Sequence, residues 1–111
     1  MRVLVTGATG FIGRQALPAL LTRGDEVHAV SFGGAIDAAG AHWHEVDLLD
    51  PAQVAALVRA VRPSHLLHLA WYAVPGRYWT STNNFQWLKA SLDLAEAFQE
   101  AGGIRMVVAG T

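Results

Sequence analysis

Cysteine is absent from this sequence of 111 residues, so disulfide bonds and thiolate metal sites are excluded. Charge is also sparse: 15% of the residues are Asp, Glu, Lys or Arg, and the net charge is −1. The eight basic residues are scattered, which argues against binding to nucleic acid or to an anionic membrane surface. No apolar run approaches the ~20 residues of a membrane span, and the amino terminus lacks a signal-peptide layout. These absences favour a cytoplasmic protein.

Hydrophobic residues make up 52% of the chain, which is enough to build one folded domain over residues 1–111. Apolar strands alternate with helical patterns along it. The predicted strands are residues 2–6, 26–31, 43–46, 65–70 and 104–109, and the predicted helices are residues 11–23, 51–61 and 82–101. Buried strands that alternate with helices predict an α/β fold with a doubly wound parallel sheet of the Rossmann type.

Two prolines and the end of the chain refine this assignment. Pro18 lies inside the first predicted helix, which it should bend or break. Asp50 followed by Pro51 is typical of a helix N-cap and its first helical residue. The sequence stops at Thr111 directly after a strand, where ligands bind in parallel sheets and the chain normally continues. We therefore expect the amino-terminal part of a longer protein, with a complete small domain as the alternative.

Three glycines follow the first strand directly: Gly7, Gly10 and Gly13. Glycine lets the backbone bend sharply and approach a ligand closely, because it has no Cβ. The first turn of the next helix offers free N–H groups and the positive end of the helix dipole. Together these features predict a site for the pyrophosphate of a dinucleotide. The alternative is a glycine-rich turn without a ligand.

With Thr6 in front of it, this segment resembles the Thr-Gly-x-x-Gly-x-x-Gly signature of the short-chain dehydrogenase/reductase superfamily. Its ending, Phe11-Ile12-Gly13, resembles the extended branch, the NAD-dependent epimerase/dehydratase family. The resemblance covers the whole sequence, which corresponds to about the first third of a typical member. It implies that the cofactor is bound by Thr6, Gly7, Thr9, Gly10, Phe11, Ile12 and Gly13.

Later segments fit the same family pattern. The resemblance implies that Asp47 and Leu48, which follow the third strand, contact adenine; a carboxylate can accept a hydrogen bond from the adenine amino group. It also implies that the backbone of Leu69 and Ala70 runs along the cofactor. Asn84, near the start of the long helix, would bond main chain and help to shape the active site.

Some polar residues in these segments are interpreted as structural. Asp50 serves mainly as a helix cap. His65 and His68 are interpreted as core residues, because a lone histidine in an apolar strand is more often buried and hydrogen-bonded than catalytic.

Thr111 is the candidate catalytic residue, since the resemblance implies that a Ser or Thr just beyond the fifth strand bonds the substrate hydroxyl or carbonyl. An ordinary polar residue is the alternative. The family's Tyr-x-x-x-Lys is absent, because neither Tyr72 nor Tyr78 is followed by a lysine at the required spacing. Without that tyrosine no residue is placed to exchange a proton while hydride moves. We expect these 111 residues to bind cofactor without turnover.

Ser31 governs the predicted choice of cofactor. An acidic residue near the end of the second strand usually bonds the ribose 2′-hydroxyl of NAD, and here that place holds Ser31. A neutral side chain does not repel a 2′-phosphate. No arginine follows Ser31, and Arg14 is a possible phosphate partner. The predicted cofactor is NAD(P), with NADP slightly favoured.

Two further features are interpreted as interaction surfaces. The aromatic loop of residues 71–79, with Trp71 and Arg77, is predicted to border the substrate pocket or, alternatively, to cover the sheet edge. The long helix carries two apolar stripes, one of which should pack on the sheet. The other should form a homodimer through helix 82–101, as the resemblance implies, or be covered by later parts of the chain. The stripes are Phe85, Leu88, Leu92 and Ala95, and Trp87, Leu94, Phe98 and Ala101.

The resemblance implies an NAD(P)-dependent epimerase, dehydratase or reductase that acts on a nucleotide-linked sugar by hydride transfer to and from the nicotinamide. Two alternatives stay open. One is a non-catalytic, dinucleotide-sensing member of the atypical branch, and the other is a reductase of a small carbonyl compound.

Overall fold

The computed structural model describes residues 1–31, 40–70 and 83–109. Five strands and three helices alternate within these ranges. In chain order they are β1 (Arg2–Thr6), α1 (Phe11–Thr22), β2 (Glu26–Ser31), β3 (His42–Glu45), α2 (Pro51–Val61), β4 (His65–His68), α3 (Asn83–Glu100) and β5 (Arg105–Val108).

The strands form one parallel sheet in the order β3-β2-β1-β4-β5. The chain first steps outward from β1 to β3 and then returns to the other side of β1 for β4. Between β1 and β4 the direction of winding therefore reverses, and the connections leave a crevice beyond the carboxyl ends of these strands. In open parallel sheets this position is the usual ligand site.

Helices cover both faces of the sheet. On one face Leu17 of α1 packs with Val3, Val5, Val27 and Ala29. On the other face, residues from α2 and α3 cover β1, β2 and β4; they include Val54, Leu57, Val58, Leu94 and Phe98. Strand residues therefore alternate between two buried faces, which is why the strands read as continuous apolar runs. The predicted doubly wound Rossmann-type sheet is confirmed.

Element bounds differ from the predictions by one or two residues at several ends. The fourth strand ends at His68 rather than at residue 70, because the N–H of Ala70 turns to the Thr6 hydroxyl at 3.3 Å. The third strand ends at Glu45, although Val46 still donates its N–H to the carbonyl of Ser31 at 3.0 Å.

Helix α1 continues unbroken through Pro18, so the break considered at this proline does not occur. Pro18 lies on the exposed side of the helix, as does Arg14, whose carbonyl loses its hydrogen-bond partner. Water can satisfy a carbonyl on this face, which lowers the cost of an interior proline.

The predicted cap of α2 is confirmed. The Asp50 carboxylate accepts the N–H of Ala52 at 3.0 Å, and Pro51 begins the helix. Arg62 ends it in a left-handed conformation, with φ of 48°.

The two stripes of α3 have different surroundings. Leu94 and Phe98 are buried, with 1% and 4% of their surface exposed, and Trp87 and Ala101 pack beside them. Phe85, Leu88 and Leu92 are instead 75%, 51% and 62% exposed. The expectation that one stripe packs on the sheet is confirmed.

Candidate dinucleotide-binding site

The turn after β1 is held by glycine at a point of close backbone contact. Gly7 has a φ of +67°, a conformation that side chains rarely adopt. A Cβ placed there would lie 2.6 Å from the Leu69 carbonyl carbon and 2.7 Å from the Ala70 nitrogen. The turn therefore requires glycine both for its dihedral angles and for its contact with the end of β4.

Gly13 lets the first turn of α1 pack against the same turn. A Cβ there would collide with the Gly7 carbonyl oxygen and approach the Ala8 Cα to 2.7 Å. Gly10, between them, is exposed and is the N-cap of α1.

The start of α1 is left open by the described part of the chain. Within that part no side chain caps the helix, and no acidic residue lies in its first turn. The exposed Phe11 and Ile12 begin the helix. The N–H groups at its start and the positive end of its dipole are therefore available to a phosphate group.

A cleft of about 290 Å³ opens beside this turn, at the carboxyl ends of the strands. The last two residues of β2 and residues that follow β1, β3 and β4 line it, together with one residue of α3. The lining residues are Gly7, Thr9, Val30, Ser31, Val46, Asp47, Leu48, Leu49, Ala70 and Trp87.

Asp47 is held in place in the loop between β3 and α2. One oxygen of the Asp47 carboxylate accepts the N–H of Leu49 at 3.0 Å. The backbone N–H of Asp47 donates to the Gln53 side chain at 2.9 Å. Gln53 in turn donates to the Asp50 carboxylate at 3.0 Å. The helix cap and the cleft wall therefore share one hydrogen-bond network.

Thr6 lies behind the cleft rather than in it. Its side chain is fully buried, and its hydroxyl oxygen accepts the N–H groups of Leu69 and Ala70 at 3.1 and 3.3 Å. The hydroxyl also bonds the Nδ1 of His68 at 2.6 Å. These contacts engage the whole hydrogen-bonding capacity of the hydroxyl, and the predicted role of Thr6 in cofactor binding stays a prediction.

His68 is a buried and satisfied core residue, as interpreted from the sequence. It is 2% exposed, and its Nε2 lies 2.8 Å from the Ser91 hydroxyl on α3. Burial lowers the pKa of His68, because the charged imidazolium loses hydration there. His65 is half-buried and bonds Ser64 at 2.8 Å.

The predicted site residues fall into three groups. Six of them line the cleft: Gly7, Thr9, Ser31, Asp47, Leu48 and Ala70. Others support its walls or lie nearby: Thr6, Gly13 and Leu69 pack behind them, Gly10, Phe11 and Ile12 begin α1, and Asn84 lies in the first turn of α3. Thr111 and the loop of residues 71–79 lie outside the described residues, so their predicted roles stay predictions.

Four cleft residues were not predicted: Val30, Val46, Leu49 and Trp87. The three aliphatic residues are direct neighbours of Ser31, Asp47 and Leu48 in sequence, and their position was the available signal. Trp87 was assigned to one of the two apolar stripes of the long helix, without a role in the cleft, and it both packs against the buried core and lines the cleft.

Metal-binding clusters and membrane-spanning helices are both missing from the described part of the chain. Within residues 1–31, 40–70 and 83–109, no group of three His, Cys, Asp or Glu side chains is arranged to hold a metal ion. None of the helices in the same ranges is long and apolar enough to cross a membrane.

A parallel sheet with a glycine turn, an open helix start and a cleft at its strand ends defines a Rossmann-type domain with a candidate dinucleotide site. The chain belongs to the NAD dependent epimerase/dehydratase family, whose sequence model matches residues 3–111.

Curated relatives show the range of the family. The chain is 29% identical over 110 residues to a probable GDP-L-fucose synthase of Drosophila melanogaster, covering 96% of this chain and 32% of that protein. It is 34% identical over 76 residues to dTDP-6-deoxy-L-talose 4-dehydrogenase (NAD(+)) of Aggregatibacter actinomycetemcomitans, covering 66% of this chain and 28% of that protein.

Among solved structures, the UDP-glucose 4-epimerase of Thermus thermophilus, in complex with NAD, superposes with a TM-score of 0.88 at 36% identity. That match covers 100% of this chain and 38% of the epimerase. The chain thus spans about a third of the length of the relatives it matches.

Proposed function

We propose that this chain binds NAD(P) in the cleft and that the whole protein is an epimerase, dehydratase or reductase of a nucleotide-linked sugar. The observation that carries the proposal is the convergence of the glycine turn, Ser31 and Asp47 on one cleft beside the open start of α1. Membership of the family supports the same class of chemistry.

Each part of the dinucleotide has a complementary wall. The start of α1 and the turn at Gly7–Gly13 suit the pyrophosphate, because backbone N–H groups and the helix dipole face a negative ligand. Ser31 is proposed to face the adenosine ribose, and Asp47 and Leu48 to face adenine; Val30 and Val46 add apolar surface to the same cleft. When bound, the nicotinamide accepts a hydride from a sugar carbon or returns it.

The choice between NAD and NADP belongs to this proposal. Ser31 favours NADP slightly, because it places no carboxylate beside a 2′-phosphate. The solved epimerase bound to NAD and the NAD(+)-dependent dehydrogenase weigh toward NAD. We keep the slight preference for NADP as a prediction that a direct comparison of the two dissociation constants decides.

The substrate class follows from the relatives. Their names give sugars linked to GDP, dTDP and UDP, so they support a nucleotide sugar without selecting the nucleotide. Thr111 is proposed to hydrogen-bond the reacting hydroxyl or carbonyl, and a tyrosine beyond it would exchange the proton. A cytoplasmic location is part of the same proposal.

Homodimerisation through α3 is supported by its exposed stripe of Phe85, Leu88 and Leu92. An apolar stripe of this kind is suited to pair with a second copy. Sedimentation of the intact protein with Leu92→Glu tests this pairing. A dimer that dissociates in the variant supports it, and a dimer that is unchanged assigns the interface to another surface.

The proposed function is tested by titrating the intact protein with NAD and NADP and then supplying UDP-, GDP- and dTDP-linked hexoses. We expect a micromolar dissociation constant for one cofactor and conversion of one nucleotide sugar. Cofactor binding without any conversion would favour the dinucleotide-sensing alternative, and reduction of small ketones alone would favour the carbonyl reductase. Absence of cofactor binding would contradict the proposal.

A further inference from the structure

A buried chain of hydrogen bonds joins β1, β4 and α3 behind the cleft. It runs from the Thr6 hydroxyl to His68 Nδ1 at 2.6 Å and from His68 Nε2 to the Ser91 hydroxyl at 2.8 Å. The direction of these bonds follows from the Thr6 oxygen, which already accepts the N–H groups of Leu69 and Ala70. Its own proton must therefore be donated to His68.

This direction fixes the state of the imidazole. Nδ1 accepts from Thr6 and so carries no proton, which leaves the neutral ring with its proton on Nε2. That proton is donated to Ser91. A protonated ring would instead present an N–H to a Thr6 oxygen whose two lone pairs are in use, so Thr6 would have to release a backbone amide.

The same bonds hold the walls of the cleft. The Thr6 hydroxyl accepts the backbone N–H groups of Leu69 and Ala70. The backbone of these two residues is also the part of β4 and its following loop that lies closest to Gly7. Ser91 lies one helical turn after Trp87, and both Ala70 and Trp87 line the cleft. A shift of the imidazole would therefore move the glycine turn and α3 relative to each other.

We propose that His68 is a positioning residue of the cofactor site: Thr6 fixes its Nε2–H tautomer, and the Nε2–H bond to Ser91 ties β4 to α3. The inference rests on the proposed function, since it concerns the affinity for the same dinucleotide. In this arrangement Ser91 accepts the Nε2–H of His68 and acts on the cleft only through that ring. Binding should be strongest when His68 is neutral.

The surroundings of His68 support a neutral ring. Burial lowers its pKa, and among the described residues no charged side chain contributes to that shift. Its neighbours from the described elements packed against it are Thr6, Ser91 and its register partner Val108, none of them charged. The charged residues that flank Ser91 on α3, Lys89 and Asp93, pair with each other at 2.9 Å.

Ser91→Ala is the direct test, because it removes one hydroxyl and leaves Thr6 and His68 in place. Ser64→Ala is a matched control: Ser64 also bonds a histidine of β4, His65 at 2.8 Å, but at the opposite end of the strand. NAD and NADP affinities of the intact wild-type protein and both variants would be measured by calorimetry from pH 5.5 to 8. The tautomer of His68 would be read from its ¹⁵N chemical shifts.

We expect Ser91→Ala to weaken binding of the preferred cofactor by roughly five- to tenfold at pH 7.5, the scale of one buried hydrogen bond. The ring should stay in the Nε2–H tautomer, because Thr6 still donates to Nδ1, and Ser64→Ala should keep wild-type affinity. Thr6→Ser should retain binding and Thr6→Val should lose it. If Ser91→Ala keeps wild-type affinity, the positioning role is wrong, and if wild-type His68 shows the Nδ1–H tautomer, the direction assigned to the Thr6 bond is wrong. If the wild-type protein binds neither cofactor, the proposed function itself fails.

Discussion

The two ends of the sheet treat their polar groups differently. At the amino end, charged and polar side chains satisfy one another: Arg2 donates to Glu26 at 2.6 Å, and Glu26 accepts from His28 at 2.7 Å. His28 extends this network along the sheet to His44 of β3 at 2.8 Å. At the carboxyl end, the start of α1 receives no side-chain cap from the described residues and faces a cleft. Polar side chains at the amino end therefore bond one another, while the N–H groups at the start of α1, at the carboxyl end, stay available to a ligand.

Gly7 should show the strongest response to substitution, with Gly24 as the control. Both have positive φ, +67° and +84°, but a Cβ at Gly24 has nothing within 4 Å. Gly24→Ala should cost about 1 kcal/mol of stability from the backbone conformation alone. Gly7→Ala adds the collision with Leu69 and Ala70, so we expect a loss above about 2 kcal/mol and more than tenfold weaker cofactor binding.

Urea unfolding and calorimetric titration of the intact proteins measure both quantities. If Gly7→Ala and Gly24→Ala weaken cofactor binding equally, the close contact at Gly7 has no special role in the cleft.

The next prediction compares substitutions of Asp47 and Asp50, whose hydrogen bonds both involve Gln53. Asp50→Ala should cost about 1 kcal/mol of stability through loss of the N-cap, with little change in affinity. Asp47→Ala should weaken cofactor binding several-fold, roughly 1 kcal/mol, because it removes the acceptor proposed for adenine and releases Leu49. Thermal unfolding and cofactor titration of both variants check this. If Asp50→Ala weakens cofactor binding and Asp47→Ala does not, adenine would be assigned to Asp50 instead.

The third effect concerns pH, where two histidines have a lowered pKa: His68 at the carboxyl end of β4, and His44 in β3. Burial lowers the pKa of both His68 and His44 below the ordinary value of 6.5, with His28 and His42 adding repulsion at His44. Between that value and the lowered pKa the unfolded chain binds more protons than the folded one. Stability is therefore complete above pH 6.5 and is lost as the pH falls through this window.

The buried His68 should dominate this loss, with a slope of at most about 1.4 kcal/mol per pH unit for one proton. Urea unfolding from pH 4.5 to 8 should therefore show a shallower slope for His68→Asn than for His44→Gln. A slope that His68→Asn leaves unchanged would contradict the assignment.

The weakest response is expected at the amino end. Glu26→Gln weakens the contacts to Arg2 and His28 on an exposed surface, where ion pairs contribute little. The cofactor dissociation constant should change by less than about twofold, because the cleft shares none of these partners. A larger change in a titration would show that the two ends are coupled.

Most of the fold could be predicted because its signals are local. Continuous apolar runs that alternate with helical segments define the strands, and Asp50 with Pro51 defines the start of α2. The strand ends were less predictable: β4 stops at His68 because of a hydrogen bond from Ala70 to Thr6, distant in sequence. The break considered at Pro18 failed because solvent can satisfy the exposed carbonyl.

The site was predicted in part for the same reason. Glycine spacing and resemblance led to Gly7, Ser31 and Asp47, which share the cleft. The supporting role of Thr6 and its bond to His68 depend on the pairing of β1 with β4, and the contact to Ser91 depends on how α3 packs. No local pattern encodes these contacts, so the buried network appeared only in three dimensions.

Amide hydrogen exchange of the intact protein, with and without its cofactor, would locate the dinucleotide on the sheet. We expect slower exchange at Phe11, Ile12 and Gly13, whose N–H groups would meet the pyrophosphate, and no change at the amino end around Glu26 and His28. Protection that appears elsewhere while these three amides exchange as before would contradict the assignment of the cleft as a dinucleotide site.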